Sequence, residues 1–197
     1  RVLERESRLP GVEAGVLHHM VRIQLLRERG RADEAVDLIV HTQKDVAALG
    51  GVVPFYLEPG WWALAATVYH GVGDTENTRR AIGRSWWLGR TMLGLVAGEV
   101  LDVMALAEED PRRAATLLGY AVALRGAEDV VTPYVVRTGA RVRRALGEEC
   151  DALLARARRT DPRRVREVVD EWWADHRPAQ DLDPSERASW SSQVRRR

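Results

Sequence analysis

The sequence predicts an all-α protein built from antiparallel helix pairs, and three observations indicate this. Apolar residues recur at three- and four-residue steps through most of the chain, as in Val12, Val16 and Met20 near its start. Turn signals of the Gly or Asp-Pro type separate these stretches. The β-branched segments at 52–56 and 130–131 are short and adjoin a proline, so we expect loops there and not strands.

Each predicted helix has its own start or stop signal. The first helix ends at Gly30, and the second ends near Gly50. Asp110 is predicted as an N-cap with Pro111 at the first helical position, where the missing proline N–H is not needed. The other predicted helices cover 61–69, 75–92, 95–106, 133–146, 150–157 and the stretch from Pro162 to Trp172.

Four of the turns align with one another, which indicates an internal repeat. They begin at Gly30, Gly73, Glu109 and Thr160, and a large aliphatic residue follows each at a fixed offset. These aliphatic residues are Ile39, Ile82, Leu118 and Val169. The pattern looks like tetratricopeptide-type helix pairs, which stack into an α-solenoid. Successive turns lie 43, 36 and 51 residues apart, so the repeats are degenerate, with an extra helix over 133–146.

Composition limits the classes of function. The 197 residues carry a formal charge of +1, which disfavours a dedicated nucleic-acid binder. A single cysteine, Cys150, fits a reducing compartment, and we expect a cytoplasmic protein without a membrane span. Lys44 is the only lysine and Asp45 follows it, so no P-loop is present. We expect a repeat domain over 1–177 and a tail over 178–197, either flexible or docked.

Candidates for chemistry are weak, so we expect no enzyme, no cofactor and no metal. His18 and His19 are adjacent and point about 100° apart on a helix, so they cannot share a metal as an i, i+4 pair does. Cys150 lies among leucines and is interpreted as a small core residue. Ser85 lacks the second glycine of a nucleophile elbow and occupies a repeat packing position.

Three tryptophan doublets begin at Trp61, Trp86 and Trp172 and leave two interpretations open: packing between helices, or an aromatic patch on a binding groove. The second pair assigns Trp62 to the structural position of the repeat, which leaves Trp61 freer. We therefore predict a groove lined by Trp61, His18 and Arg22. In the competing interpretation Trp61 packs beneath the loop 50–60.

Arginines cluster over 141–144 and 156–166, interleaved with acidic residues such as Glu149 and Asp151. The simpler interpretation is a solvated face of ion pairs. The alternative is a docking patch for an acidic partner or for phosphate.

The stretch from Glu109 to Gly126 reads EDPRRAATLLGYAVALRG, and Ala145-Leu146-Gly147 ends a helix about 20 residues later. These segments resemble the C-terminal region of large bacterial regulators of the Streptomyces antibiotic regulatory protein family. The resemblance covers about 50 of the 197 residues, through 148–157. Tyr120 departs from it by replacing a usual small residue, and 160–197 is longer than the resemblance leads us to expect.

The resemblance implies a function. Multidomain regulators of this kind carry a winged-helix DNA-binding domain, an activation domain and an NTPase first, and tetratricopeptide repeats last. This implies a C-terminal module that senses a ligand or partner and controls the attached activator, and the resemblance implies an activator of secondary metabolism. Its partners are then a protein, peptide or small-molecule effector and the upstream domains of the regulator, with no direct contact to DNA or membrane. The absence of an initiating Met before Arg1 agrees with this expectation.

Two other functions stay open. The first alternative is a stand-alone scaffold that holds a peptide in its groove and bridges proteins. The second alternative is an all-α enzyme with an unrecognised site. The coding sequence upstream of Arg1 separates the regulatory module from the scaffold.

Overall fold

The structure, a computed structural model, describes residues 12–48, 57–92 and 94–175, and helices are the regular secondary structure of these residues, with no strand among them. The nine helices are α1 (Val12–Glu28), α2 (Ala32–Ala48), α3 (Glu58–Gly71), α4 (Thr75–Gly89), α5 (Gly94–Ala107), α6 (Pro111–Arg125), α7 (Pro133–Leu146), α8 (Glu149–Arg158) and α9 (Pro162–Asp175). The prediction of an all-α fold is confirmed. Residues 130–131 lie in a loop as predicted, whereas 52–56 and the predicted tail lie outside the described residues.

The predicted boundaries of α6 are confirmed in atomic detail. The Asp110 side chain accepts a hydrogen bond of 2.9 Å from the Arg112 backbone N–H, which satisfies one of the free donors of the first turn. Pro111 occupies the first turn. At the other end, Gly126 adopts a left-handed φ of 80°, a conformation that side-chain-bearing residues rarely take, and closes the helix.

Helices pair in chain order and stack on their neighbours. The pairs α1–α2, α3–α4 and α5–α6 each pack together. The first helices of the pairs also contact one another, since α1 touches α3, α3 touches α5 and α5 touches α7. Each second helix contacts the helix that follows it, from α2–α3 to α6–α7. One continuous apolar core runs through this arrangement, and its largest fully buried members include Trp86, Ile23, Ile39, Leu101 and Met104.

The aliphatic residues predicted after the aligned turns all lie in the core. Ile39, Ile82, Leu118 and Val169 are each less than 9% exposed. The small residues Thr42, Ser85 and Ala121, three places further on, are buried as well. The Ser85 hydroxyl donates 2.7 Å to the Pro59 carbonyl of the paired helix, which is a packing contact and not a catalytic arrangement.

The predicted fourth repeat differs from this pattern. α8 and α9 both pack on α6, but they do not pack along one another. Trp172, which the helical pattern places on the same apolar face as Val165 and Val169, is only half-buried, whereas Trp173 is 4% exposed. The reason is that α9 folds back toward α4, where an ideal Cβ on Gly83 would lie 2.6 Å from Cζ2 of Trp173. Because Gly83 has no side chain, α4 has a notch at this position that accommodates the Trp173 ring. This notch sets the rotation of α9 about its own axis.

Polar contacts fix α9 in this position. Asp170 accepts 2.8 Å from the Trp86 indole N–H and forms an ion pair of 3.0 Å with Arg90. In return, Nε of Arg166 donates 2.8 Å to the backbone carbonyl of Arg90. The last described helix is thus held against α4 by both side-chain and backbone contacts.

Candidate functional site

A recess of about 200 Å³ lies between α6, α7 and α8, and the α6–α7 loop (126–132) forms part of its wall. It is somewhat larger than a cavity of about 150 Å³, which accommodates benzene in another protein. The floor of the recess is ionic and consists of Asp102 and Arg125. The mouth is charged and consists of Glu128, Arg143 and Arg158. The apolar walls between them are formed by Leu118, Val122, Val135, Cys150 and Leu154.

The floor is a buried ion pair. Nη1 of Arg125 lies 2.7 Å from Oδ2 of Asp102, and the two side chains are only 10% and 2% exposed. Nε of Arg125 donates a second hydrogen bond, of 3.1 Å, to the carbonyl of Ala127. Burial raises the pKa of Asp102 to about 6, against the opposing effect of Arg125. The carboxylate is therefore mostly ionised at pH 7. The ion pair holds the C-terminal end of α6 against α5, and the hydrogen bond to Ala127 holds it against the α6–α7 loop.

The mouth is a second, more exposed ionic group. The carboxylate of Glu128 lies 3.1 Å from Arg158 and 3.9 Å from Arg143. All three side chains are between 35% and 52% exposed, so solvent screens these pairs. Glu128 belongs to a loop that is shaped locally, because Oδ1 of Asp129 accepts hydrogen bonds from the backbone N–H groups of Val131 and Thr132.

The apolar walls depend on close packing of α8 against α6. A Cβ added to Gly119 would collide with the side chain of Ala157, so the glycine allows the two helices to approach. This approach positions Cys150, 1% exposed, and Leu154 against Leu118. Burial raises the pKa of the Cys150 thiol, so the residue stays protonated and fits the predicted role of a small core residue.

A second recess, of about 270 Å³, lies between α6 and α9. Its wall is mostly apolar and includes Leu117, Tyr120 and Val168. The guanidinium of Arg113 lies 5.1 Å from the ring centroid of Trp172 at its edge. This recess lacks the paired charges of the first one, and it is bounded by only two helices.

A third polar group joins the ends of α1, α3 and α7. Nη1 of Arg27 donates 2.6 Å to the hydroxyl of Thr67, and its guanidinium lies 5.4 Å from the ring centroid of Tyr134. Glu28, the neighbour of Arg27, approaches Arg137 at 4.0 Å. Contacts between the C-terminal end of α1 and α7 therefore bridge the surface that the first helices of the pairs form.

The three residues predicted to line a groove do not form one. Trp61 is 5% exposed and belongs to the core, which contradicts the expectation that it is the freer member of its doublet. Arg22 is exposed on α1, whereas His18 is half-buried. Because Trp61 is covered, it cannot line an open groove with the other two.

In each tryptophan doublet one member is buried and the other lies beneath an arginine. The buried members are Trp61, Trp86 and Trp173. The guanidinium carbons of Arg84, Arg90 and Arg113 lie 4.4, 3.8 and 5.1 Å from the rings of the other members, Trp62, Trp87 and Trp172. Each arginine lies over one face of its ring, which favours the packing interpretation of the doublets over an open aromatic patch.

The sequence predicts part of the recess. Its basic clusters contain Arg143 and Arg158, and Cys150 is predicted as a core residue, but the sequence patterns do not single out Glu128, Asp102 or Arg125. Asp102 gave a usable signal, because a carboxylate flanked by Leu101 and Val103 in a mostly apolar helix requires a cationic partner if it is buried.

Within the described residues, no group of three or more His, Cys, Asp or Glu side chains is arranged to hold a metal ion. No described helix is both long and apolar enough to cross a membrane. No protein-family model, curated protein or solved structure matches this chain.

Proposed function

We propose that this chain is a ligand-sensing regulatory module, made of tetratricopeptide-like helix pairs in an α-solenoid, that controls an attached bacterial transcription activator. The proposal combines the helix-pair architecture, the recess between α6, α7 and α8, and the resemblance of the segment from Glu109 to Gly126 to the C-terminal region of such activators. In this proposal the activator regulates antibiotic or other secondary metabolism.

The contact pattern supports the solenoid. Stacked helix pairs require contacts within each pair, between first helices of successive pairs, and between each second helix and the next first helix. All three kinds of contact occur from α1 to α7. The buried small residues Ser85 and Ala121 support close approach of helices within the pairs. α9 ends the series, because it folds back over α4 and α6 instead of adding another layer.

One observation carries the sensing role. The recess is lined by side chains from α5, α6, α7 and α8 and from the loop 126–132. A ligand bound there would contact α6, α7 and α8 at once, and would therefore favour one arrangement of α7 and α8 on α6. A ligand shifts an equilibrium by its difference in affinity between the two arrangements. The segments that carry the family resemblance, 109–126 and 145–157, supply much of this lining.

The decisive test of the regulatory role is the coding sequence that precedes Arg1. An in-frame region encoding a winged-helix domain and an NTPase is the expected result. A start codon directly before Arg1 would overturn the proposal, because the chain would then have no activator to control. In the intact regulator, deletion of 133–175 should change transcription from its target promoter without abolishing DNA binding in a gel-shift assay.

A stand-alone scaffold is the second candidate, and one observation favours it. Leu17, Val21 and Leu25 form a stripe along α1 and are 47%, 40% and 38% exposed. An apolar stripe at this spacing is a typical docking surface for a partner helix. If the upstream region encodes no regulator, replacing Val21 with Glu should abolish capture of a partner protein, whereas replacing the exposed Gln24 with Glu should leave capture intact.

A further inference from the structure

We propose that the recess between α6, α7 and α8 binds a small carboxylate with an apolar body, about the size of an aromatic ring, and that its carboxylate displaces Glu128 from Arg143 and Arg158. This names the ligand class for the sensing site and therefore rests on the proposed function. It depends on the shape, lining and charges of the recess, which can be tested in the isolated chain.

The size and the apolar walls of the recess determine how large and how apolar the body of the ligand can be. Its volume of about 200 Å³ accepts an aromatic ring or a short branched chain. Leu118, Val135 and Leu154 supply apolar contact on α6, α7 and α8. The Asp102–Arg125 pair at the floor is already neutralised within the protein, so it does not require a charged group from the ligand.

The two arginines at the mouth of the recess favour a ligand with a negative charge. Arg143 and Arg158 come from different helices and both approach the carboxylate of Glu128, so the protein already shows that this position accepts a carboxylate. Glu128 lies on a loop and its side chain is 47% exposed, so it can turn into solvent at little cost. A ligand carboxylate then replaces one negative charge with another, and the ionic balance of the mouth is preserved.

The rim explains how an apolar body enters. Val130 and Val136 are 70% and 49% exposed, and both line the recess. Val131, next to Val130, is 82% exposed. Exposed valines beside the apolar walls of the recess provide a surface from solvent to these walls, and a bound ligand would cover part of this surface.

Isothermal titration calorimetry with benzoate tests the proposal, with benzyl alcohol as the neutral analogue and phenyl phosphate as the alternative anion. We expect benzoate to bind with a Kd of about 1 mM or below, and benzyl alcohol to bind at least about ten-fold more weakly. Glu128→Gln should tighten benzoate binding several-fold, because the arginines lose their internal competitor. This variant changes an exposed loop residue and should remain folded.

Arg143→Met and Arg158→Met should each weaken benzoate binding by about ten-fold. The matched controls are Arg144→Met and Arg156→Met, which alter exposed arginines on the same two helices outside the recess lining and should change the Kd by less than about two-fold. Circular dichroism confirms that each variant is folded.

Three results would overturn the proposal. These are no heat of binding for wild type or Glu128→Gln at about 10 mM benzoate, equal effects of the recess and control arginines, and a preference for phenyl phosphate over benzoate of more than about ten-fold. The upstream coding sequence tests the regulatory role separately. Failure of benzoate to bind therefore rejects the ligand class alone, whereas a start codon before Arg1 rejects the regulatory role alone.

Discussion

The indole Nε1 of Trp86 donates a hydrogen bond of 2.8 Å to Oδ1 of Asp170, which lies 84 positions further along the chain. Trp86 is fully buried in α4, so its N–H has no access to solvent and needs this partner. The contact connects the second helix pair directly to the last described helix, and it explains why α9 lies over α4 and α6 instead of pairing with α8.

Asp170→Leu should destabilise the protein by about 1–3 kcal/mol, because the buried indole N–H of Trp86 loses its acceptor. Urea unfolding followed by circular dichroism measures the change. Glu171→Gln, at the adjacent exposed position on α9, is the control and should change stability by less than about 0.5 kcal/mol. Equal stabilities of the two variants would contradict the role assigned to this hydrogen bond.

Gly83→Ala should destabilise the protein by about 1–3 kcal/mol even though alanine favours helices, because the new Cβ would lie 2.6 Å from the Trp173 ring. Gly15→Ala on α1 meets nothing within 4 Å and should be neutral or stabilise by up to about 1 kcal/mol. Thermal unfolding of the two variants side by side gives the comparison. A stabilised Gly83→Ala protein would show that Trp173 does not occupy the notch.

Local signals predicted the helices well because each depends on nearby residues. The Asp110 cap, the Gly126 stop and the burial of Ile39 and Ile82 follow from spacing along a single helix. Which tryptophan of a doublet is buried does not follow, because adjacent residues point about 100° apart and a small rotation of the helix exchanges them. For α9 that rotation is set by Gly83, which is distant in sequence.

The recess was only partly predictable for a similar reason. Arg143 and Arg158 belong to clusters in which nearby acidic residues were the obvious partners, and Arg143 does lie 3.9 Å from Asp151. The carboxylate that approaches both arginines, however, is Glu128 in the preceding loop. Its position depends on the course of the chain between α6 and α7, which the hydrophobic periodicity does not report.

Trp61→Ala should destabilise the protein by about 3–5 kcal/mol, because the indole is 5% exposed and its removal leaves a large cavity. Trp62→Ala is the matched comparison and should cost less, since Trp62 is half-buried and its ring lies beneath Arg84. Chemical unfolding of both variants decides the point. If Trp61→Ala kept its full stability but lost the response to a ligand or partner, the predicted groove would be correct after all.

Arg125→Met should destabilise the protein by about 1–3 kcal/mol at pH 7, because Asp102 loses its hydrogen-bond donor and its cation and must take up a proton inside the protein. The loss should shrink as the pH falls and Asp102 takes up a proton. Arg112→Met removes an exposed arginine from the same helix, one that pairs with Glu149, and should cost less than about 1 kcal/mol. A deficit in Arg125→Met that is the same at pH 5 and pH 7 would contradict this explanation.

Asp102 should make the protein less stable as the pH rises from about 4 to about 6. Burial raises its pKa from 3.8 to about 6, so the folded state holds a proton through a range in which the unfolded state has lost it. The free energy of unfolding therefore falls with rising pH across this window, by up to about 3 kcal/mol, and is constant above it.

Asp102→Asn cannot titrate, and its side-chain amide retains an oxygen that accepts a hydrogen bond from Arg125. Urea unfolding at half-unit pH steps should show the difference between variant and wild type growing from pH 4 to pH 6 in favour of the variant. Both proteins should carry Glu99→Gln, because Asp102 contributes to the raised pKa of Glu99 and the titration of Glu99 would otherwise differ between variant and wild type. A difference that stays flat, or that grows in favour of wild type, would show that Arg125 stabilises the carboxylate more than burial destabilises it.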